Sequence, residues 1–396
     1  MRSVRSASSI LLLALALASG LRAEPWERIG WRLLEEQLGP AFPRGHTTAI
    51  AQVEAAPVGE HTTRVAAVLR EGLPDAPPFA LWEAADFFAR ALLRADLDPR
   101  GAPLRVEADI QNHSWVADRQ AGVSEQVAAR ILRALDHQVE RDGVLVVASL
   151  RNEPEAAPPD LLAHAYNLLT VGVSSGRHGG GLTRFDDPGR GKPDMVAPAD
   201  HTSLAVPLVT ASAAVLLELA RLEPAWRDAA RPEALKAILL AGAHRGNLPD
   251  WEHSEARPLD ARFGAGELNV WNSHAILASG SPGPDEVRES GWRVLEVPAR
   301  GLALVPLHAS TGVAAALCWL RGIPDADPGD GFAPDVRLPN HDVALADAEG
   351  RLVARSRSPH DNVELLVHRP ERPGPHVLVI RSDLGGRVAV AWRPEW

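Results

Sequence analysis

The chain has 396 residues and 45% hydrophobic content, enough to bury a large core and to divide into two or three domains. Its net charge of −10 comes from acidic and basic residues mixed along the chain, with no long basic run, which argues against nucleic acid or anionic membrane as a partner. The single cysteine, Cys318, excludes an intramolecular disulfide and reads as a buried strand residue.

The N-terminus, MRSVRSASSILLLALALASGLRA, has two arginines ahead of an apolar run about ten residues long, then small residues ending at Ala23. This predicts a secretory signal peptide, residues 1–23, cut before Glu24, and hence an exported (secreted or periplasmic) mature protein without membrane insertion. Pro25–Leu38 has helical apolar spacing, 47–53 is a short β-type run ending at Glu54, and His61–Leu69 and Phe79–Leu93 read as helices. Strand Ala108–Ser114, helix Ser124–Glu140, and strands Gly143–Ala148 and Leu168–Val173 follow, before a long apolar helix from Leu204 to Leu219. Alternation of this kind predicts an α/β domain, residues 24–279, with a parallel sheet covered by helices on both faces. A Pro/Gly-rich linker, 280–290, precedes short alternating strands over 291–396, read as an antiparallel β-sandwich. Asp186 and Asp187 read as solvated turn residues, and no metal set or cofactor motif is found.

Parallel sheets gather their chemistry at the carboxyl ends of strands and at helix starts. Ser203 stands at the mouth of the long apolar helix, where free N–H groups and the helix dipole favour an oxyanion. The helix signal alone leaves open a plain N-cap serine. The segment KPDMVAPADHTSLAVPLVTASAAVLLEL resembles the nucleophile region of the subtilisin-like serine proteases, with Pro193-Asp194, Ala197-Pro198 and Thr202-Ser203-Leu204-Ala205-Val206-Pro207 in the family's order. His201 stands where that family has glycine, and the hairpin before the serine is nearly absent.

The other segments fall in place behind this resemblance. EHTTRVAAVL resembles the family's histidine helix, which implies His61 as general base, with Thr62 on a glycine and Arg64 on a second histidine. TTAIAQVEA resembles its acid strand and puts Glu54 where subtilisins have Asp, as the related sedolisins do; Gln52 is the rival position but carries no charge. Only six residues separate Glu54 from His61, enough to span roughly 20 Å when extended. GVLVVASLRNEP resembles the oxyanion strand and implies Asn152 as donor. ADIQNHSWVAD resembles the substrate-binding strand, so Asn112, His113, Ser114 and Trp115 are expected to present an edge for β-addition of a peptide. The resemblance implies the subtilisin three-layer fold and a secreted endopeptidase that acts on peptides or proteins without a cofactor. The C-terminal region resembles the jelly-roll domains appended to secreted subtilases. A catalytically inactive binding protein is the alternative, and an esterase is disfavoured because no Gly-x-Ser-x-Gly surrounds Ser203.

Overall fold

The computed structural model describes residues 24–96, 101–119, 124–323 and 338–395; the expected signal peptide lies outside them. Six parallel strands form the first sheet: β1 (Ile50–Glu54), β2 (Ala80–Glu83), β3 (Ile110–His113), β4 (Leu145–Ser149), β5 (Leu168–Val173) and β6 (Met195–Ala197). Their order across the sheet is β2-β1-β3-β4-β5-β6, with Ile50 beside Ile110 and Ile110 beside Leu145.

Strand alternation divides the interior into two cores. Ile50, Ile110, Leu145 and Val147 face one core, which also holds the inward faces of α1 (Trp31–Leu38), α2 (Glu60–Gly72) and α4 (Thr202–Leu222). Ala51, Val53, Val146 and Ala148 face the other, against α3 (Glu125–Asp142) and Phe87. Helix α4 is apolar on nearly every side because it lies deep in the first core, beneath the sheet and packed along α2, where Gly72 meets the Ala211 side chain. Among the described residues it is the one helix long and apolar enough to cross a membrane, and its burial identifies it as a core helix.

Expectation and structure part in the segment Phe79–Leu93. The sequence suggests one helix; the chain instead forms the edge strand β2, then short helical turns over Ala84–Asp86 and Phe87–Leu92. Pro77 and Pro78 hold the approach extended, and pairing with β1 carries that conformation on to Glu83.

The C-terminal strands make two antiparallel sheets. One has the order β8-β13-β10-β11 and the other β12-β9-β14-β7, for β7 (Gly291–Val297), β8 (Leu302–Ala309), β9 (Gly312–Cys318), β10 (His341–Ala346), β11 (Leu352–Ser356), β12 (Val363–His368), β13 (Gly374–Ser382) and β14 (Gly386–Glu395). Val305, Leu317, Val343, Leu378 and Trp392 fill the space between them. The outer face of the second sheet does not meet solvent: Ala316, Cys318, Val363, Leu365, Ala389 and Ala391 join the first core against α5 (Pro232–Gly242), which is buried along its whole length. Cys318 is buried, as expected, and burial pushes its thiol up to about 12.

Buried charges reinforce this contact. Arg321, which follows β9, donates Nε to Asp136 of α3 at 2.8 Å and an amino group to Asp186 at 2.8 Å. The Asp186 side chain is completely buried and also meets Arg133, so it is a packing residue and not the solvated turn residue its DDPG context suggests; Asp187 is exposed. Asp194 of the Pro-Asp pair is buried as well. It accepts from Thr170 N at 2.7 Å, Lys192 Nζ at 3.0 Å and Lys236 Nζ at 2.9 Å. Burial alone would raise this carboxyl, but the two ammonium groups outweigh it and hold the group below its usual range.

Candidate active site

Glu54 is the last residue of β1, Asn152 lies three residues beyond β4, and Ser203 opens α4, so all three sit at the carboxyl end of the sheet. Only five residues, 55–59, connect β1 to α2, and His61 falls on the first turn of that helix. The Glu54 Oε2 lies 3.1 Å from His61 Nδ1. Thr62, in the resemblance's glycine position, pins this short loop by donating its hydroxyl to the Ala56 carbonyl at 2.7 Å.

The electrostatics of the pair follow from its burial. Glu54 is 1% exposed, and desolvation pushes its carboxyl up to about 7, against a hydrogen bond from Gln52 that draws it down. His61 is lowered from its ordinary value, chiefly by desolvation and further by the charges of Arg64 and His201. No hydrogen bond joins His61 to Ser203 among the described residues.

At the start of α4 the donors are divided in a definite way. Asn152 Oδ1 accepts from Thr202 N at 2.9 Å and from its hydroxyl at 3.2 Å, while Leu204 N and Ala205 N both donate to the His201 carbonyl. The Ser203 N–H is therefore left without a partner among the described residues, beside an Asn152 whose amide nitrogen is likewise uncommitted. Two free donors thus flank the serine. The sequence pointed to Asn152 as an oxyanion donor but not as the cap of α4.

The four residues expected to form a substrate edge are placed otherwise. β3 is an interior strand, paired with β1 on one side and β4 on the other, so Asn112 and His113 present no open backbone edge. Asn112 is buried and accepts from Thr210 at 3.0 Å while donating to Ser114 Oγ; His113 turns to the opposite face, where its ring meets Phe87 and Gln111. Ser114 and Trp115 are also buried, and the Trp115 carbonyl accepts from Ser149. The polar side chains of segment 108–118 thus serve packing, not the open edge its sequence suggests. Beyond it, Asp118 pairs with Arg151, the neighbour of Asn152.

Sequence reasoning also missed Gly179. Its N–H donates to the Arg151 carbonyl at 2.9 Å, and a Cβ there would lie 2.7 Å from the Ala156 carbonyl, so the loop that carries Asn152 rests against a residue that has to be small. The signal was the run Gly179-Gly180-Gly181 after His178.

Comparison with solved structures returns a lanthipeptide protease (15% identity, TM-score 0.41, covering 62% of this chain and 91% of that one) and the prenylagaramide maturation protease PagA (19%, 0.40, 60% and 96%). It also returns fervidolysin from Fervidobacterium pennivorans, a keratinolytic enzyme related to subtilisin (12%, 0.41, 93% and 79%). Comparison with curated proteins gives no match. Residues 100–266 match the profile of the subtilase family, a segment that contains Asn152 and Ser203 and begins after Glu54 and His61. That match lies on the parallel sheet and its flanking helices, so the chain carries a subtilase-like segment over residues 100–266.

Proposed function

We propose that the protein is a secreted serine endopeptidase in which Ser203 is the nucleophile, His61 the general base, Glu54 the residue that orients and balances His61, and Asn152 an oxyanion donor. The observation that carries this reading is the 3.1 Å approach of a buried carboxylate to the imidazole at the start of α2, on the same end of the sheet as Ser203. With Nδ1–H held by Glu54, His61 presents Nε2 as the base. It takes the Ser203 hydroxyl proton as Oγ bonds to the scissile carbonyl carbon, and later returns that proton to the leaving amine. As Oγ attacks, the negative charge moves to the carbonyl oxygen, which the Ser203 N–H and the Asn152 amide are free to receive, and collapse of this oxyanion breaks the C–N bond as the amine takes the proton.

Export is supported by the N-terminal arginines and apolar run. The strand order of the C-terminal sheets supports a jelly roll: numbered 1 to 8 in chain order, the strands fall as 2-7-4-5 and 6-3-8-1. A catalytically inactive binding protein is the second reading, favoured by His201 in place of glycine. Against it, His201 has φ −133° and ψ 146°, extended backbone that any residue adopts. The deciding experiment is labelling of the mature protein with a fluorophosphonate probe and peptide mapping. Label on the peptide that contains Ser203, abolished in Ser203→Ala, is expected; label that persists in this variant would overturn the assignment.

A further inference from the structure

Ile50, Gln52 and Glu54 lie on the same face of β1, toward the core that holds α2. A buried amide on such a face must find partners. Gln52, 2% exposed, directs its Nε2 to two acceptors on different elements, Glu54 Oε1 at 3.0 Å and the Thr62 carbonyl at 3.0 Å. One amide nitrogen has two hydrogens and both partners accept, so its orientation is fixed; turned over, its oxygen would face a carboxylate and a carbonyl. Thr62 directly follows His61, so this one side chain ties the carboxylate to the turn that carries the imidazole.

We propose, building on the roles of Glu54 and His61 above, that Gln52 is a positioning residue that fixes the Glu54 carboxylate against His61 and stabilises its charged form. Glu54 has lost the water that would otherwise hold its charge, and Gln52 supplies a donor in that place. Burial raises the Glu54 carboxyl, and the hydrogen bond from Gln52 opposes that rise. Other charged groups approach the dyad from the surrounding elements: Arg64 from α2 and His201 from the start of α4 act on His61, and Glu83 pairs in register with Glu54 from β2. His113 of β3 pairs with Val53 and lies on the far face. Among these groups His61 alone shares a hydrogen bond with Glu54, and Gln52 is its other side-chain partner.

The test is the pH dependence of kcat/KM in Gln52→Met, which keeps the length of the side chain and removes the donor. The acid limb should move up by about one pH unit or more, with kcat/KM about tenfold or more below wild type near pH 6, most of it regained by pH 9, and KM little changed. A profile that overlays the wild type, or a loss equal at every pH, would overturn the proposal. Gln52→Glu is the isosteric second variant should Gln52→Met not fold. Two carboxylates sharing one proton should drive the acid limb higher still, and an unmoved limb again refutes the role. In a Glu54→Gln background, Gln52→Met should add no pH shift. Wild-type labelling at Ser203 separates the two levels of inference: if it fails, the site assignment is wrong, and if it succeeds with an unmoved limb, only the role of Gln52 is.

Discussion

On the proposed mechanism Asn152 has two separable tasks, one for each amide atom, and the pair of substitutions Asn152→Ala and Asn152→Asp tells them apart. Its oxygen caps α4 by accepting from Thr202 N at 2.9 Å, and its nitrogen is left to face a developing oxyanion. Alanine removes both. Loss of the cap should cost about 1 kcal/mol of stability, and loss of the donor should lower kcat by about 10²–10³, or roughly 3–4 kcal/mol in the barrier, with KM nearly unchanged. Aspartate keeps the capping oxygen and adds negative charge at the helix start, a gain of about 0.3–1 kcal/mol, yet it replaces the donor with a charge that repels the oxyanion. Stability should therefore rank Asp at or above Asn, with Ala lowest, whereas kcat should rank Asn far above Ala, with Asp no better than Ala. Denaturant unfolding and steady-state hydrolysis of a peptide substrate measure the two orders. If the Asp variant keeps wild-type turnover, Asn152 is a cap alone and the oxyanion argument fails.

Glu54→Gln should lower kcat by several orders of magnitude, because an amide favours the wrong imidazole tautomer. It should also stabilise the fold at pH 8: with the folded carboxyl raised to about 7, stability is lost as pH rises from about 4.5 to 7, by at most about 3 kcal/mol, and the amide escapes this loss. Equal unfolding midpoints for the two proteins at both pH 5 and pH 8 would contradict this. Gly179→Ala should shift the 152–157 loop and lower kcat more than it raises KM, since its Cβ would press on the Ala156 carbonyl; an unchanged kcat would remove Gly179 from the argument. Arg321→Met should destabilise by about 3–5 kcal/mol, because it leaves Asp136 buried without its cation and Asp186 with Arg133 alone. The shared core further predicts that sandwich and α/β region unfold in a single transition, which calorimetry would check.

The sequence was most legible where local pattern and tertiary fate coincide. Helix α4 is apolar all round because it is buried all round, and the approach of Glu54 to His61 was readable because one ends a strand and the other opens the next helix across a short loop. It was least legible where a polar residue is satisfied from far along the chain. Asp186 looks solvated until Arg321, 135 residues later, is seen to fold back on it, and Asn112 looks like a substrate contact until Thr210 arrives 98 residues on. Phe79–Leu93 misled for a related reason, since pairing with β1 overrides its helical spacing.

The departures from the family pattern bear on activity, and the structure gives each a local cause. A glycine is demanded only where φ is positive or a neighbour lies too close. His201 has φ −133°, and Thr62 sits inside the first turn of α2, so at neither position does the backbone need one. Thr62 has its own use, closing the five-residue connection through Ala56 and offering its carbonyl to Gln52. Desolvation, with the charges of Arg64 and His201, lowers His61, which keeps the imidazole neutral, and so able to accept a proton, to lower pH than an isolated histidine. The Glu54 carboxyl, raised to about 7, sets the opposing demand that activity fall on the acid side as this group takes up its proton. With the two side chains hydrogen-bonded and acting as proposed, the acid limb of kcat/KM should belong to the pair. An enzyme assembled in this way should work best from neutral to alkaline pH, and a kcat/KM that is maximal at pH 5 would mean that Glu54 does not serve His61.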